Sequence, residues 1–267
     1  MNTKHPAATP AEAPLIAPVI EDSWTALRRH TAARIALGRS GASLPTREVL
    51  AFELAHAQAR DAVLTALDIA ALRGALEADG WAVSEAHSRA QDHAAYLARP
   101  DWGRRLHVDA LAALAALGIK TTDLVIVVSD GLSSTAVQQN AVPLLRALRP
   151  LLPEGLAVAP VVIATRARVA LADEVGETLG ARIAVSLIGE RPGLSSPDSL
   201  GAYLTYAPRV GRNDAERNCI SNIRPAGLGY DDAAARIAWH VGESLRRGYS
   251  GVALKDESAS GWIAGPS

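Results

Sequence analysis

Three short segments carry residue types that can bind a ligand where a strand ends. The first, Val128-Ser129-Asp130-Gly131-Leu132-Ser133-Ser134, opens an apolar run into small polar residues ahead of an expected helix. Gly131 allows close backbone approach, and hydroxyls and free helix amides can satisfy amide or phosphate oxygens. Ser129, Asp130, Gly131 and Ser133 are therefore candidates, although the same letters also describe an ordinary turn with serine caps. The second, Gly189-Glu190-Arg191-Pro192-Gly193, joins a carboxylate and a guanidinium to a tight turn. Glu190 can accept from ligand amides and Arg191 offers a planar fork to an oxyanion; taken alone, such a pair also reads as a solvated surface pair. The third, Arg217-Asn218-Cys219-Ile220-Ser221-Asn222-Ile223, reads as a short strand interleaved with amide, thiol and hydroxyl groups. A lone thiol like Cys219 ordinarily packs as a small buried hydrophobe, and nothing nearby makes it a nucleophile.

Several chemistries lack their signatures. No Gly-x-Gly-x-x-Gly follows a strand, no Gly-Lys-Ser or Gly-Lys-Thr occurs, and no helix-spaced histidine pair with an acidic partner matches a metalloprotease. The histidines read as surface or capping residues. Cys219 is the single cysteine, which rules out an intramolecular disulfide and a cysteine-cluster metal site. Arg104-Arg105 can meet phosphate or another subunit, with solvent exposure as the default reading.

The elements that must position these segments change character along the chain. Residues 1–20 mix Ala and Pro without the continuous apolar core of a secretory signal, and read as a flexible leader. From 21 to 118 the pattern is helical, with strand signals scarce; after Leu44-Pro45-Thr46, the residues Leu50, Leu54 and Ala57 fall along one stripe. From 119 to 267 short Val- and Ile-rich runs alternate with amphipathic segments. Leu124–Val128, Ala157–Ala164 and Arg182–Ile188 are expected strands, with further ones at Tyr203–Tyr206 and Cys219–Ile223. Helices are expected near Thr135–Leu148, Val169–Leu179 and Asp231–Arg247. That alternation gives an α/β fold: a Rossmann-like, mostly parallel sheet with flanking helices, preceded by an α-helical region. Ligands of such sheets gather at the carboxyl ends of the strands, where the turns at Ser129, Gly189 and Ser221-Asn222 fall.

Composition agrees with a globular protein. Of 267 residues 49% are hydrophobic and 21% charged, and the formal net charge of −1 gives no global field for nucleic acid. The longest apolar runs stop well short of the roughly 18 to 20 residues of a membrane span.

The chain resembles the ethanolamine ammonia-lyase small-subunit family over nearly all of Ala33–Leu254. The resemblance rests on Ala33-Arg34-Ile35-Ala36-Leu37-Gly38-Arg39-Ser40-Gly41, Leu44-Pro45-Thr46 and Ala55-His56-Ala57-Gln58-Ala59-Arg60-Asp61-Ala62-Val63. Ser129-Asp130-Gly131-Leu132-Ser133, Leu187-Ile188-Gly189-Glu190-Arg191-Pro192-Gly193 and Cys219-Ile220-Ser221-Asn222-Ile223 continue the series in order. It implies a hetero-oligomer in which a barrel-type large subunit binds ethanolamine, while this chain closes over adenosylcobalamin in residues 119–267. It further implies contacts to the cofactor from Val169, Glu190 and Cys219, with the Ser129–Ser134 loop added by analogy of position. No Asp-x-His-x-x-Gly occurs, so the implied cobalamin keeps its own dimethylbenzimidazole base. The implied setting is the bacterial cytoplasm, free or inside a microcompartment, with no nucleic acid or membrane partner. Two other readings stand beside it: a stand-alone Rossmann-like enzyme using the Ser129–Ser134 loop on a nucleotide or phosphorylated ligand, and a non-catalytic scaffold subunit of a compartment.

Overall fold

The computed structural model describes residues 19–258, in two compact units divided between Ala55 and His56. In the first, Ile20 and Arg39 exchange backbone hydrogen bonds of 2.8 and 3.0 Å, a short 3-10 helix covers Thr25–His30, and Glu48 meets Arg47 at 3.1 Å and Arg28 at 3.6 Å. Most of the expected leader, residues 1–18, lies outside the described residues. Helix α1 (Thr46–Leu64) begins in this unit. The stripe expected along it is not covered: Leu50 and Leu54 are 58% and 61% exposed.

The second unit is layered. Its elements run α2 (Ile69–Ala78), β1 (Val83–His87), α3 (His93–Ala98), α4 (Pro100–Gly103), α5 (Val108–Ala116), β2 (Thr122–Ser129) and α6 (Ser134–Leu148). They continue with β3 (Val161–Thr165), α7 (Leu171–Thr178), β4 (Ala181–Gly189), β5 (Leu200–Tyr206), β6 (Arg217–Ile223) and α8 (Tyr230–Arg247). The strands form one sheet in the order β1-β3-β2-β4-β5-β6. Its first four strands are parallel, β5 runs antiparallel to β4, and β6 runs antiparallel to β5. The Rossmann-like description thus fits the parallel part, and the antiparallel hairpin extends it on one side.

Strand β1 falls within the stretch read as helical. Its five residues Val-Ser-Glu-Ala-His offer no apolar run, because it is an edge strand bonded only to β3. Helix α8 shows the opposite case, a segment whose ends are written in its letters. Asp231 and Asp232 open it, Arg246 and Arg247 close it, and Gly248 ends it at φ 81°. Both charge pairs complement the helix dipole, and the left-handed cap suits a residue without Cβ.

The core has two layers, and their unequal reach creates the site. On one face, Ile126, Val128, Val185, Leu187, Leu200, Ala202, Leu204 and Ile220 pack with α6 and α8, so that β2 to β6 are covered. On the other, α5 and α7 pack on Val125, Val127, Val162, Ala164 and Ala184. That apolar layer stops at β4. Successive strand residues point to opposite faces, so Tyr203 and Thr205 of β5, with Arg217 and Cys219 of β6, form the continuation beyond α7. Among the described residues no helix is long and apolar enough to cross a membrane.

Candidate functional site at the uncovered sheet edge

Two depressions lie side by side there. One of about 450 Å³ is lined by Pro100, Arg104, Arg168, Val169, Ala170, Tyr203, Asp214, Arg217 and Cys219. The other, about 390 Å³, is lined by Tyr96, Gly131, Leu132, Arg168, Val169, Ile188, Gly189, Glu190, Arg191 and Tyr203. Arg168, Val169 and Tyr203 border both, so Val169, Glu190 and Cys219 converge around Tyr203. Sequence reasoning had no signal for Tyr203, whose ring is one of many half-apolar strand residues until the register sets it opposite Cys219.

Each side chain is held by a separate device. Glu190 follows β4, and its Oε2 accepts the backbone N–H of Asn222 at 3.2 Å and the hydroxyl of Ser199. Its Oε1 accepts no hydrogen bond from the described residues, so one acceptor stays open beside the depression. Gly201 leaves the space: a Cβ there would sit 2.9 Å from Oε1 and 3.1 Å from the Tyr203 ring. Asn222 reaches Glu190 with φ at 59°, a left-handed conformation that Asn tolerates better than most residues.

Cys219 is exposed, contrary to the buried hydrophobe that a lone cysteine suggests. Its place on the edge strand, beyond the apolar layer that α5 and α7 build and that stops at β4, explains the exposure. The hydroxyl of Tyr203 donates to its sulfur. Desolvation of the thiol in the wall of the depression, together with the Glu190 carboxylate, holds its pKa above the ordinary value against that hydrogen bond. Burial likewise pushes the Tyr203 phenol up. Cys219 is therefore a neutral thiol suited to contact and not to nucleophilic attack. Val169 lies in the short turn before α7, where it borders both depressions instead of joining the core.

The loop after β2 mainly holds the frame. Asp130 accepts the backbone N–H groups of Arg166 at 2.6 Å, Gly131 at 2.8 Å and Ala167 at 3.2 Å. Burial pushes its carboxyl up, opposed by those three donors. Ser133 caps α6 through the Ala136 amide at 3.1 Å and donates to the Pro197 carbonyl at 2.8 Å. Gly131 (φ 57°) is needed for packing: a Cβ would lie 2.2 Å from the Gly189 carbonyl oxygen. Ser129 is buried and its hydroxyl has no partner among the described residues. Of this loop, Gly131 and Leu132 line the second of these depressions, while Asp130 and Ser133 make the turn and cap contacts described above.

The two adjacent arginines divide. Arg105 forks onto buried Glu174 at 2.8 and 3.1 Å, and Glu174 also accepts the Leu106 amide at 2.6 Å. Arg104 is exposed and lines the first depression. Beneath that depression, Arg217 and Asp173 form a buried ion pair at 2.6 Å, with Thr205 at 2.9 Å on the same guanidinium. Among the histidines, His107 caps α5, whereas His240 is buried, against the expected surface role. The described residues hold no cluster of three or more metal-ligating side chains.

Residues 21–255 match the family described as ethanolamine ammonia-lyase light chain. The chain belongs to that family. It is 57% identical over 235 residues to the ethanolamine ammonia-lyase small subunit of Bradyrhizobium diazoefficiens, covering 87% of this chain and 90% of that protein. The small subunit of Rhodopseudomonas palustris is also 57% identical, with 87% and 89% covered, and that of Ralstonia nicotianae is 54% identical, with 90% of each covered. Membership makes this light chain one component of an ammonia-lyase.

Proposed function

We propose that this light chain, paired with the family's large subunit, binds base-on adenosylcobalamin against the edge formed by β4, β5 and β6, and supports the deamination of ethanolamine to acetaldehyde and ammonia. The observation that carries the reading is the convergence of Val169, Glu190 and Cys219 around Tyr203. The donor set fits a corrin periphery rich in neutral amides: Glu190 offers a fixed carboxylate oxygen without a partner among the described residues, Cys219 a neutral thiol, and Val169 an apolar contact. None of the three competes with the cofactor's own base for cobalt, in keeping with a base-on state. When bound, adenosylcobalamin supplies the adenosyl radical that begins the reaction. This chain's residues hold the corrin in register and keep water from its edge.

Residues 119–267 act as the cobalamin-binding domain in this reading, and β1 from the preceding helical region completes their sheet. Exposed Leu50 and Leu54 of α1 offer apolar area to the large subunit. The setting is the bacterial cytoplasm, free or within a microcompartment.

The test is coexpression with the neighbouring large subunit, addition of adenosylcobalamin, and assay of acetaldehyde release with each component omitted in turn. Activity that needs all three components supports the reading. Full activity without this chain overturns it. Copurified nucleotide would favour a stand-alone enzyme, and a partner without corrinoid would favour a scaffold.

A further inference from the structure

Four arginines stand at the corner where α4 meets the turn before α7, and only two are satisfied. Arg105 is taken by Glu174, and Arg217 by Asp173 and Asp214. Arg104 and Arg168 have no carboxylate within 4.0 Å among the described residues, yet both line the first depression, and Arg168 lines the second as well. Asp214, the one carboxylate bordering the first depression, sits 3.4 Å from Arg217. Positive charge is therefore left over at this corner.

Arg168 is also fixed in place. Its guanidinium lies over the Tyr96 ring, 4.2 Å from the centroid, and Nη2 donates to the Tyr96 carbonyl at 3.2 Å. Its backbone amide donates to the Gly103 carbonyl at 2.8 Å. Gly103 makes room for this stack, since a Cβ there would fall 2.9 Å from Arg168 Cγ and 3.1 Å from Tyr96 Cε2. The Nε of Arg168 is buried and has no acceptor among the described residues. A buried donor without an acceptor is unfavourable, and a small rotation of the guanidinium into the depression would present Nε and a terminal nitrogen together, the fork that matches a phosphate. Holding the side chain in advance lowers the ordering cost of binding.

Cobalamin carries neutral amides around the corrin and a single anion, the phosphodiester of its nucleotide loop. We propose that Arg168, with Arg104 beside it, binds that phosphodiester. The inference rests on the proposed cobalamin function and adds the part of the cofactor that this corner recognises.

The test compares two ligands in the reconstituted two-subunit complex by equilibrium titration. Adenosylcobalamin has the phosphodiester; adenosylcobinamide lacks the nucleotide loop. Arg168→Gln should raise the Kd for adenosylcobalamin roughly 10- to 100-fold, the range of a charged hydrogen bond, and leave the Kd for adenosylcobinamide unchanged. Arg168→Lys should fall between, keeping charge without the fork. The unchanged cobinamide affinity also shows that the variant is folded and assembled. An equal loss for both ligands, or no loss for either, overturns the assignment while leaving the cobalamin function intact. A wild-type complex that binds neither corrinoid overturns both.

Discussion

Glu190 is tied to Asn222 across the end of β5: the Asn222 backbone N–H donates 3.2 Å to Oε2, while Oε1 remains free of any partner among the described residues. One carboxylate thus has two jobs, latching the end of β6 to the turn after β4 and keeping an acceptor beside the depression. Glu190→Gln separates them. To keep the Asn222 latch, the amide must turn its oxygen inward and its NH2 outward, which replaces the open acceptor by a donor. The Kd for adenosylcobalamin should rise about tenfold with Tm nearly unchanged, as read by titration and thermal unfolding. A variant that binds as tightly as the wild type would remove Glu190 from the site.

Cys219 supplies a chemical readout of the same surface, because it is the single cysteine in the chain. The Tyr203 hydroxyl stabilises its thiolate, although desolvation keeps the thiol pKa above the ordinary value overall. Removing the donor with Tyr203→Phe should raise that pKa further, so the iodoacetamide rate profile moves to higher pH. Adenosylcobalamin should slow alkylation in the complex. Equal rates with and without cofactor would place the corrin elsewhere.

The buried pair under the site makes a stability prediction. Arg217 and Asp173 side chains are only 3% and 2% exposed, and the pair joins β6 to α7. Asp173→Ala would strand a buried guanidinium, at a cost of about 3–5 kcal/mol. Asp214 also approaches Arg217, but its side chain is 91% exposed, so Asp214→Ala should cost less than about 1 kcal/mol. Urea unfolding of the two variants checks the contrast, and similar losses would contradict the division of roles.

The parts of this arrangement that could be read in the sequence are those encoded locally. The run from Leu124 to Val128 and the charged ends of α8 specify their elements within a few residues, and Glu190 falls at a strand end by its turn alone. What could not be read depends on which strands become neighbours. Strand β1 lacks an apolar pattern because it sits at an edge, and Tyr203 gains its role only by pairing with Cys219. Ser133 shows why letters alone leave two readings open: a hydroxyl at a helix entrance can meet a ligand or cap the helix, and here it accepts the Ala136 amide.

His240 gives the chain an acid-sensitive point away from the site. Its side chain is buried in α8 with Nδ1 unpartnered among the described residues, the Trp239 ring meets it edge-on at 4.9 Å, and Asp256 stands 4.0 Å from Nε2. Burial lowers its pKa below the ordinary 6.5, with Arg236 acting in the same direction and Asp256 against it. A folded-state pKa below the unfolded one means that the unfolded chain takes up the proton first. The stability tied to a neutral His240 is therefore complete above about pH 6.5 and drains as pH falls toward the folded pKa, by at most about 1.4 kcal/mol per pH unit. His87, whose pKa burial also lowers, adds to the slope. His240→Gln should flatten the fall in Tm between pH 7.5 and 5.5 and leave His87's share. If the variant loses stability with acid as steeply as the wild type, the proton taken up on unfolding belongs to another group.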